Sequence, residues 1–304
     1  MNFNITILGC GAATPTLRRN PTSQVVSVHD KLFLVDCAEG TQLQLRRHKV
    51  KFQKINHVFI SHLHGDHYLG LVGLISSMHL LGRTKDLHIH GPTGLERLIQ
   101  LNLELSDTFL NFKWIFHPTN PKEKELLFED NTLEVYSIPL KHRIDCTGFI
   151  FIEKPRKPKV SKEMIEEYNL SIIQIRDLKN LVDVKLENGE ILSAEKATIA
   201  SRTPRMYAFC SDTAYLPGLV EHIENANLLY HESTFTEEHA ARAKATFHST
   251  ASQAATIASL ANVKQLILGH YSSRYTSLSD FLEQAQPIFS NVILAQDGMV
   301  VEIP

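Results

Sequence analysis

This sequence predicts an α/β protein, and three observations lead there. Short apolar runs of β-branched and aromatic residues alternate along the chain with stretches of helical period. Those runs end repeatedly in His, Asp or Glu. Hydrophobic residues make up 43% of the 304, enough to bury a sizeable core in one large domain or two small ones. Strands alternating with helices define the class, and polar residues gathered at strand ends fit a site built on a rigid sheet edge.

The first run, residues 3 to 8, alternates as a strand and ends in Gly9-Cys10-Gly11-Ala12-Ala13-Thr14-Pro15. Its Gly-x-Gly is no dinucleotide loop, because Thr14 stands where a third glycine belongs and Pro15 replaces a helix start. A loop with Arg18 and Arg19 follows, then Val25 to Val28 and Lys31 to Val35 form a hairpin around His29-Asp30. Asp36 closes that second strand and is either a helix cap or a partner for a ligand; a helix over Thr41 to Arg47 comes next. Val58-Phe59-Ile60 reads as a buried strand, and Leu71, Leu74, Ile75, Met78 and Leu81 recur at helical spacing within Leu69 to Leu81.

Leu87 to His90 is a strand leading to a helix from Gly94 to about Leu103; His88 and His90 lie within the strand without a companion carboxylate and are structural. Trp114 to His117 and Leu133 to Leu140 are strands, the latter followed by His142. From Lys154 to Glu190 the texture changes. Lys154, Arg156, Lys157, Lys159 and Lys162 gather around two prolines, then a short helix over Lys162 to Tyr168 and an Asn188-Gly189 turn follow. The bland account of such a run is a solvated loop. Beyond it, Tyr207 to Cys210 ends at Asp212, Leu228 to Tyr230 at His231-Glu232-Ser233-Thr234, and Gln265 to Leu268 at His270, while His248-Ser249-Thr250 opens a helix over Ala251 to Leu260.

Composition sets limits. A formal net charge of −2 carries no global commitment to nucleic acid or membrane, so any basic surface is local. Cys10, Cys37, Cys146 and Cys210 are widely spaced, with no Cys-x-x-Cys, and read as reduced, mostly buried thiols in a cytosolic protein. Neither a signal peptide at Met1-Asn2-Phe3 nor a membrane-spanning stretch is expected.

The chemistry concentrates in His62-Leu63-His64-Gly65-Asp66-His67, on a strand-to-helix turn that Gly65 is expected to make possible by its backbone freedom. Imidazole and carboxylate are ligands for Zn²⁺. Four such groups in six residues exceed what one tetrahedral ion takes, and a polar loop of satisfied histidines accounts poorly for the density.

His62-x-His64-x-Asp66-His67-x-x-Gly70 resembles the signature of the metallo-β-lactamase fold, and His142, Asp212 and His270 fall in the order and contexts of its remaining ligands. The hexad alone leaves lactamases, glyoxalase II-like thioesterases, sulfatases and nucleases open. Asp36-Cys-Ala-Glu-Gly-Thr-Gln, Ser211-Asp-Thr, His231-Glu-Ser-Thr, His248-Ser-Thr and the Pro15-to-Asn20 loop together resemble the ribonuclease Z family of tRNA 3′-processing endonucleases, from about Leu8 to Asp297. Two features depart from that family. Leu17 stands where Lys is common, and Asn169 to Asn180 lacks the Gly-Pro-rich motif usual near the arm tip.

The resemblance implies a four-layered αβ/βα sandwich, a single domain over 1–304 with a flexible tRNA-binding arm inserted at 153–192. It implies a pair of Zn²⁺ ions per subunit: one on His62, His64 and His142, the other on Asp66, His67 and His270, with Asp212 bridging. Asp66 would also accept the proton of the attacking water, and His248, oriented by Glu232, would protonate the leaving oxygen. Lys154, Arg156, Lys157 and Lys159 would contact the substrate, with Arg274 near a phosphate. The implied protein is a cytoplasmic, homodimeric endoribonuclease acting on precursor tRNA. A general phosphodiesterase or arylsulfatase on the same fold shares the ligands without needing the arm, whereas a nucleic-acid-binding module with structural zinc would favour a closed cysteine-rich site.

Overall fold

The apolar runs pair into two seven-stranded sheets in a computed structural model that describes residues 2–303. The first uses β1 (Phe3–Gly9), β2 (Ser23–Val28), β3 (Lys31–Cys37), β4 (Ile55–Phe59), β5 (Leu87–Gly91) and β6 (Trp114–Pro118). The second begins with β7 (Glu125–Glu129), β8 (Leu133–Pro139) and β9 (Thr147–Glu153). Four short strands, β10 (Lys159–Val160), β11 (Val184–Lys185), β12 (Ile191–Leu192) and β13 (Thr198–Ile199), form two separate ladders. The second sheet resumes with β14 (Met206–Cys210), β15 (Leu228–Glu232), β16 (Leu266–Gly269) and β17 (Val292–Leu294), and β18 (Val300–Glu302) returns to the first. The orders are β18-β1-β2-β3-β4-β5-β6 and β17-β16-β15-β14-β9-β8-β7. The hairpin turns at His29, with Val28 opposite Lys31, and β3 to β6 continue in parallel.

Helices α1 (Thr41–Arg47), α2 (Gly65–Tyr68), α3 (Leu71–Leu80) and α4 (Gly94–Leu105) follow strands of the first sheet. Leu71, Leu74, Ile75, Met78, Leu95 and Ile99 share one buried cluster with Leu34, Val58 and Ile89 of that sheet. Helices α5 (Lys162–Glu167), α6 (Ile172–Lys179) and α7 (Ala194–Ala197) lie between β9 and β14. The last group is α8 (Val220–Ile223), α9 (Ala240–Thr246), α10 (Ala251–Leu260) and α11 (Ser279–Ala285); α10 packs on β15 and β16, and α11 on β17. Between the sheets lie aromatic rings: Phe33 and Phe151 are 5.6 Å apart, Phe59 and Phe149 5.4 Å. Helix, sheet, sheet and helix make the expected αβ/βα sandwich. Central parallel strands are covered on both faces, which is why β14 and β16 read as nearly continuous apolar runs.

The chain divides into two compact units. One comprises the residues up to Glu129, Val135–Phe151 and Arg205 onward; the other is Asp130–Glu134 with Ile152–Pro204. The arm expected at 153–192 lies within the second unit. That unit has its own core of Val160, Leu170, Leu178, Val184, Leu186, Leu192, Ala194 and Ala197. Asn169 to Asn180, which departs from the family's arm motif, supplies α6, started by a capping box between Ser171 and Gln174. Of the basic lead-in, Lys154 lies 3.6 Å from Glu134, Arg156 3.9 Å from Glu153, and Lys157 donates to Asn180, whereas Lys159 is exposed on β10.

The helix expected over Leu69 to Leu81 is α3, preceded by the one-turn α2 with Leu69 and Gly70 between them, and Leu81 is left exposed at its C-cap. One local expectation needs correction. Gly65 does not close the turn by adopting positive φ. It is the first residue of α2, and one helical turn brings Asp66 Oδ2 and His67 Nε2 within 3.5 Å of each other. Glycine is required at Gly70 instead, where a Cβ would lie 2.1 Å from the Ala38 carbonyl oxygen. His88 and His90 are structural, stacked with His57 and His117 on one face of β4 to β6. Burial, then neighbouring imidazoles, push His57 down to about 3 and His90 to about 2, so both stay neutral.

Because backbone rather than a flexible side chain blocks Gly70, Gly70→Ala should destabilise the fold by about 1–3 kcal/mol. Gly218, with nothing within 4 Å of its would-be Cβ, is the control and should tolerate Ala nearly unchanged. Denaturant midpoints compare the two, and equal midpoints would contradict the packing argument.

Candidate functional site

Loops at the ends of both sheets bring seven residues together. His62 and His64 follow β4, while Asp66 and His67 sit on α2. His142 follows β8, Asp212 follows β14 and His270 follows β16. His62 Nε2 is 2.9 Å from His64 Nδ1, which is 3.1 Å from His142 Nε2. Asp212 Oδ2 completes this group at 3.6 Å from His62 Nε2 and 3.7 Å from His142 Nε2. The other carboxylate oxygen, Oδ1, lies 3.4 Å from His67 Nε2 and 3.1 Å from His270 Nε2. Asp66 Oδ2 is 3.5 Å from each of those two nitrogens. Two groups of ligand-type atoms therefore share one carboxylate, and each group is tight enough to hold a metal ion.

The donor set fits divalent cations on a further observation. His67 Nε2, Asp212 Oδ1 and His270 Nε2 are buried and lack hydrogen-bond partners among the described residues, yet they converge on one point. Leaving a buried polar atom unsatisfied costs about 1–3 kcal/mol. Three at one point mark a place for positive charge. Electrostatics agree. Burial alone would raise the Asp212 carboxyl, but His270, His67 and His62 hold it well below the usual range. Asp66 is likewise held low against its burial, by His67 and then His270.

Outer partners set the tautomers. His67 Nδ1 donates to Asp36 Oδ2 at 2.7 Å, so the alternatives left for Asp36 resolve to ligand orientation; it caps no helix, since Gly40 holds the N-cap position of α1. Ser61 Oγ donates to the same Asp36 oxygen at 3.0 Å and accepts from His62 Nδ1 at 3.0 Å. His142 Nδ1 donates to the Phe247 carbonyl at 2.9 Å, and His270 Nδ1 to Thr234 Oγ1 at 2.9 Å. Ala13 N–H donates to Asp66 Oδ2 at 2.6 Å, which gives the Gly-x-Gly loop its task. Ala13, Asp36, Phe247 and His270 all have φ between 53° and 59°, a left-handed conformation that non-glycine residues adopt at a cost of about 1–2 kcal/mol.

Glu232 is the second fixed carboxylate. It accepts from the backbone N–H groups of Thr213, Thr234 and Ser249, from Thr234 Oγ1, and from His248 Nδ1 at 2.8 Å. Burial pulls the His248 imidazole down, but Glu232 outweighs it and pushes the group up to about 9. With Nδ1 taken, His248 keeps Nε2 as its donor. It precedes α10 rather than starting it, because Thr250 is the N-cap. His64, Asp66, His142, Asp212, His248 and His270 line a cavity of about 540 Å³, and Arg274 lines it with its guanidinium 5.2 Å from the Phe235 ring. Arg143 and Arg242 also line it; sequence reasoning missed both, along with Ala13, Ser61 and Thr234. Ser61 and Thr234 adjoin recognised motifs, so position beside a motif was an available signal. The Phe247 carbonyl has none.

A His/Asp centre shared between two sheets defines a metallo-β-lactamase-fold hydrolase. A metallo-beta-lactamase fold protein of Bacillus subtilis, YhfI, matches with TM-score 0.71 at 18% identity, covering 99% of this chain and 100% of that one. A family model described as anti-Pycsar protein Apyc1 matches residues 3–156, ending before Asp212, His248 and His270. The likeness to ribonuclease Z runs end to end. A Bacteroides fragilis protein named ribonuclease Z is 46% identical over 301 residues, 99% of each chain. The human short-form tRNase Z crystal structure matches with TM-score 0.73 and 29% identity over 99% of each chain. This chain belongs to the ribonuclease Z family and is a hydrolytic ribonuclease. The departures at Leu17 and Asn169 to Asn180 sit within that full-length match. No helix among the described residues is long and apolar enough to cross a membrane, and all four cysteines are free and buried.

Thr234 hands the Glu232 carboxylate on to His270, so Thr234→Val should loosen metal without removing a ligand. Outer-shell losses of this kind cost about 10–100-fold in affinity. Chelator competition reads it directly, and an unchanged midpoint would show that His270 needs no such support.

Proposed function

We propose that the chain is a zinc-dependent endoribonuclease that removes the 3′ trailer from precursor tRNA. The observation that carries this reading is the pairing of two ligand groups through Asp212 with a separate, buried Glu232–His248 pair at the same cavity. The end-to-end likeness to proteins named ribonuclease Z and tRNase Z supplies the substrate. His62, His64, His142 and Asp212 would hold one ion, and Asp66, His67 and His270 the other, with Asp212 Oδ1 also turned toward the second group. When bound, such a pair would supply Lewis acidity for a phosphodiester and lower the pKa of an attacking water.

The chain's own groups do the rest. Asp66, kept ionised by its imidazole neighbours, accepts the proton of the attacking water. His248 has its Nδ1 committed to Glu232, which leaves Nε2 to carry the proton for the leaving 3′-oxygen. Its protonated form persists through neutral pH and is lost as pH rises through about 9. The unit at Asp130–Glu134 and Ile152–Pro204 serves as the tRNA-gripping arm, with Lys154, Arg156, Lys157 and Lys159 at its entrance and Arg274 toward a phosphate at the cavity. A cytoplasmic homodimer belongs to the same reading.

The deciding experiment replaces residues 155–203 with a short Gly-Ser linker; stopping at 190 would cut the core that Leu192, Ala194 and Ala197 share. Precursor tRNA binding should weaken severely and its salt dependence flatten, by about 0.9 in slope per lost duplex phosphate contact. Zinc content and hydrolysis of a small chromogenic diester should survive. Untouched tRNA processing would favour the general phosphodiesterase or arylsulfatase instead.

His248→Ala should lower turnover on precursor tRNA by roughly 10²–10⁴-fold with both metals retained. A diester with a good leaving group, needing little protonation, should suffer far less. Equal losses on both substrates would place His248 in metal support.

A further inference from the structure

Five histidines carry the ligand groups, and four of them donate their outward N–H to an acceptor. His62 has Ser61 Oγ, His67 has Asp36, His142 has the Phe247 carbonyl and His270 has Thr234 Oγ1. His64 differs. Its Nδ1 is the atom facing His62 and His142, so as a ligand it keeps its proton on Nε2. Nε2 faces Arg143 Nη2 at 3.1 Å, and a guanidinium has only donors. Two N–H groups thus point at one another across a hydrogen-bond distance with no acceptor between them.

Among the described residues no acceptor bonds either N–H, although Glu39 lines the same cavity. Arg143 is exposed and forms no ion pair among the described residues. Asp66 and Asp212 are committed to the ligand groups. Both donors open on the cavity that Arg242 and Arg274 also line. Outward N–H groups on metal-ligand histidines normally find an oxygen, and a guanidinium matches the oxygens of a phosphate.

We propose that His64 Nε2–H and the Arg143 guanidinium together form an oxyanion subsite that takes a non-bridging phosphate oxygen of the RNA chain beside the metal centre. The inference rests on the ligand assignment given under the proposed function. On this account the substrate completes the hydrogen bonding of a ligand histidine, so seating the phosphate also fixes the His64 ring. Arg143 is a substrate-binding residue, and its loss registers in binding more than in the metal.

The test uses full-length, zinc-loaded protein and its Arg143→Met and Arg143→Lys variants, with orthophosphate as the competing probe. In Arg143→Met, inhibition by orthophosphate should weaken by about tenfold, and KM for precursor tRNA should rise more than kcat falls. Binding of a precursor made uncleavable by a methylene in place of the leaving 3′-oxygen should lose about 0.7 in salt slope, the increment for one single-strand phosphate. Arg143→Lys should restore the slope but not the full orthophosphate affinity, since lysine presents a point charge rather than a fork. Unchanged inhibition and slope in Arg143→Met would overturn the subsite, and so would loss of zinc, which would make Arg143 a support for the ligand. Metal content of His64→Ala is the separate check: a full pair of ions there would sink the ligand assignment itself.

Discussion

One buried carboxylate organises this molecule. Asp212 turns Oδ2 toward His62 and His142 and Oδ1 toward His67 and His270, and it is 2% exposed. A carboxylate buried so deeply is costly unless cations or donors answer it. The answering groups come from both sheets: His62 and His67 from the end of β4 and the helix after it, His142 and His270 from loops after β8 and β16. Neither sheet holds enough of them alone. Packing the sheets through Phe33, Phe59, Phe149 and Phe151 is therefore the condition for the centre to exist.

Around that carboxylate the polar groups form ranks. Asp36 and Glu232 stand behind the ligands, each accepting several donors, and through Ser61 and Thr234 they reach His62 and His270. These links fix which ring nitrogen faces inward before any ion arrives, so little reorganisation is left for binding. The left-handed backbone at Ala13, Asp36, Phe247 and His270 belongs to the same design: strain is held where a carbonyl, N–H or side chain must point against the local chain direction. His64 is the exception among these histidines: its outer nitrogen meets Arg143 where both line the cavity.

The second unit shows another economy. A stretch of mixed charge and modest hydrophobicity builds a core of its own from short helices and two-residue strands, with Ser161, Ser171 and Ser193 capping the helices. Its charges are partly engaged at home, as Lys154 and Arg156 show.

The sequence alone determined the parts that depend on near neighbours. Period-two and helical patterning located most strands and helices, because side-chain alternation follows directly from backbone geometry. The hexad announced a metal centre, since four ligand-type groups in six residues have little other use, and family motifs carried the assignment to His142, Asp212 and His270. What the chain order could not express was decided by tertiary packing. Asp36 was left between two roles until folding set its oxygen 2.7 Å from His67. The turn at Gly65 looked like a glycine device but is a helical turn, while the indispensable close approach falls at Gly70, against a carbonyl more than thirty positions away in sequence. Arg143, Thr234 and the Phe247 carbonyl matter through hydrogen bonds whose partners are remote along the chain, and such bonds leave no period or spacing to read. Orientation of a ring nitrogen is a property of its neighbours in space, and only the folded chain supplies them.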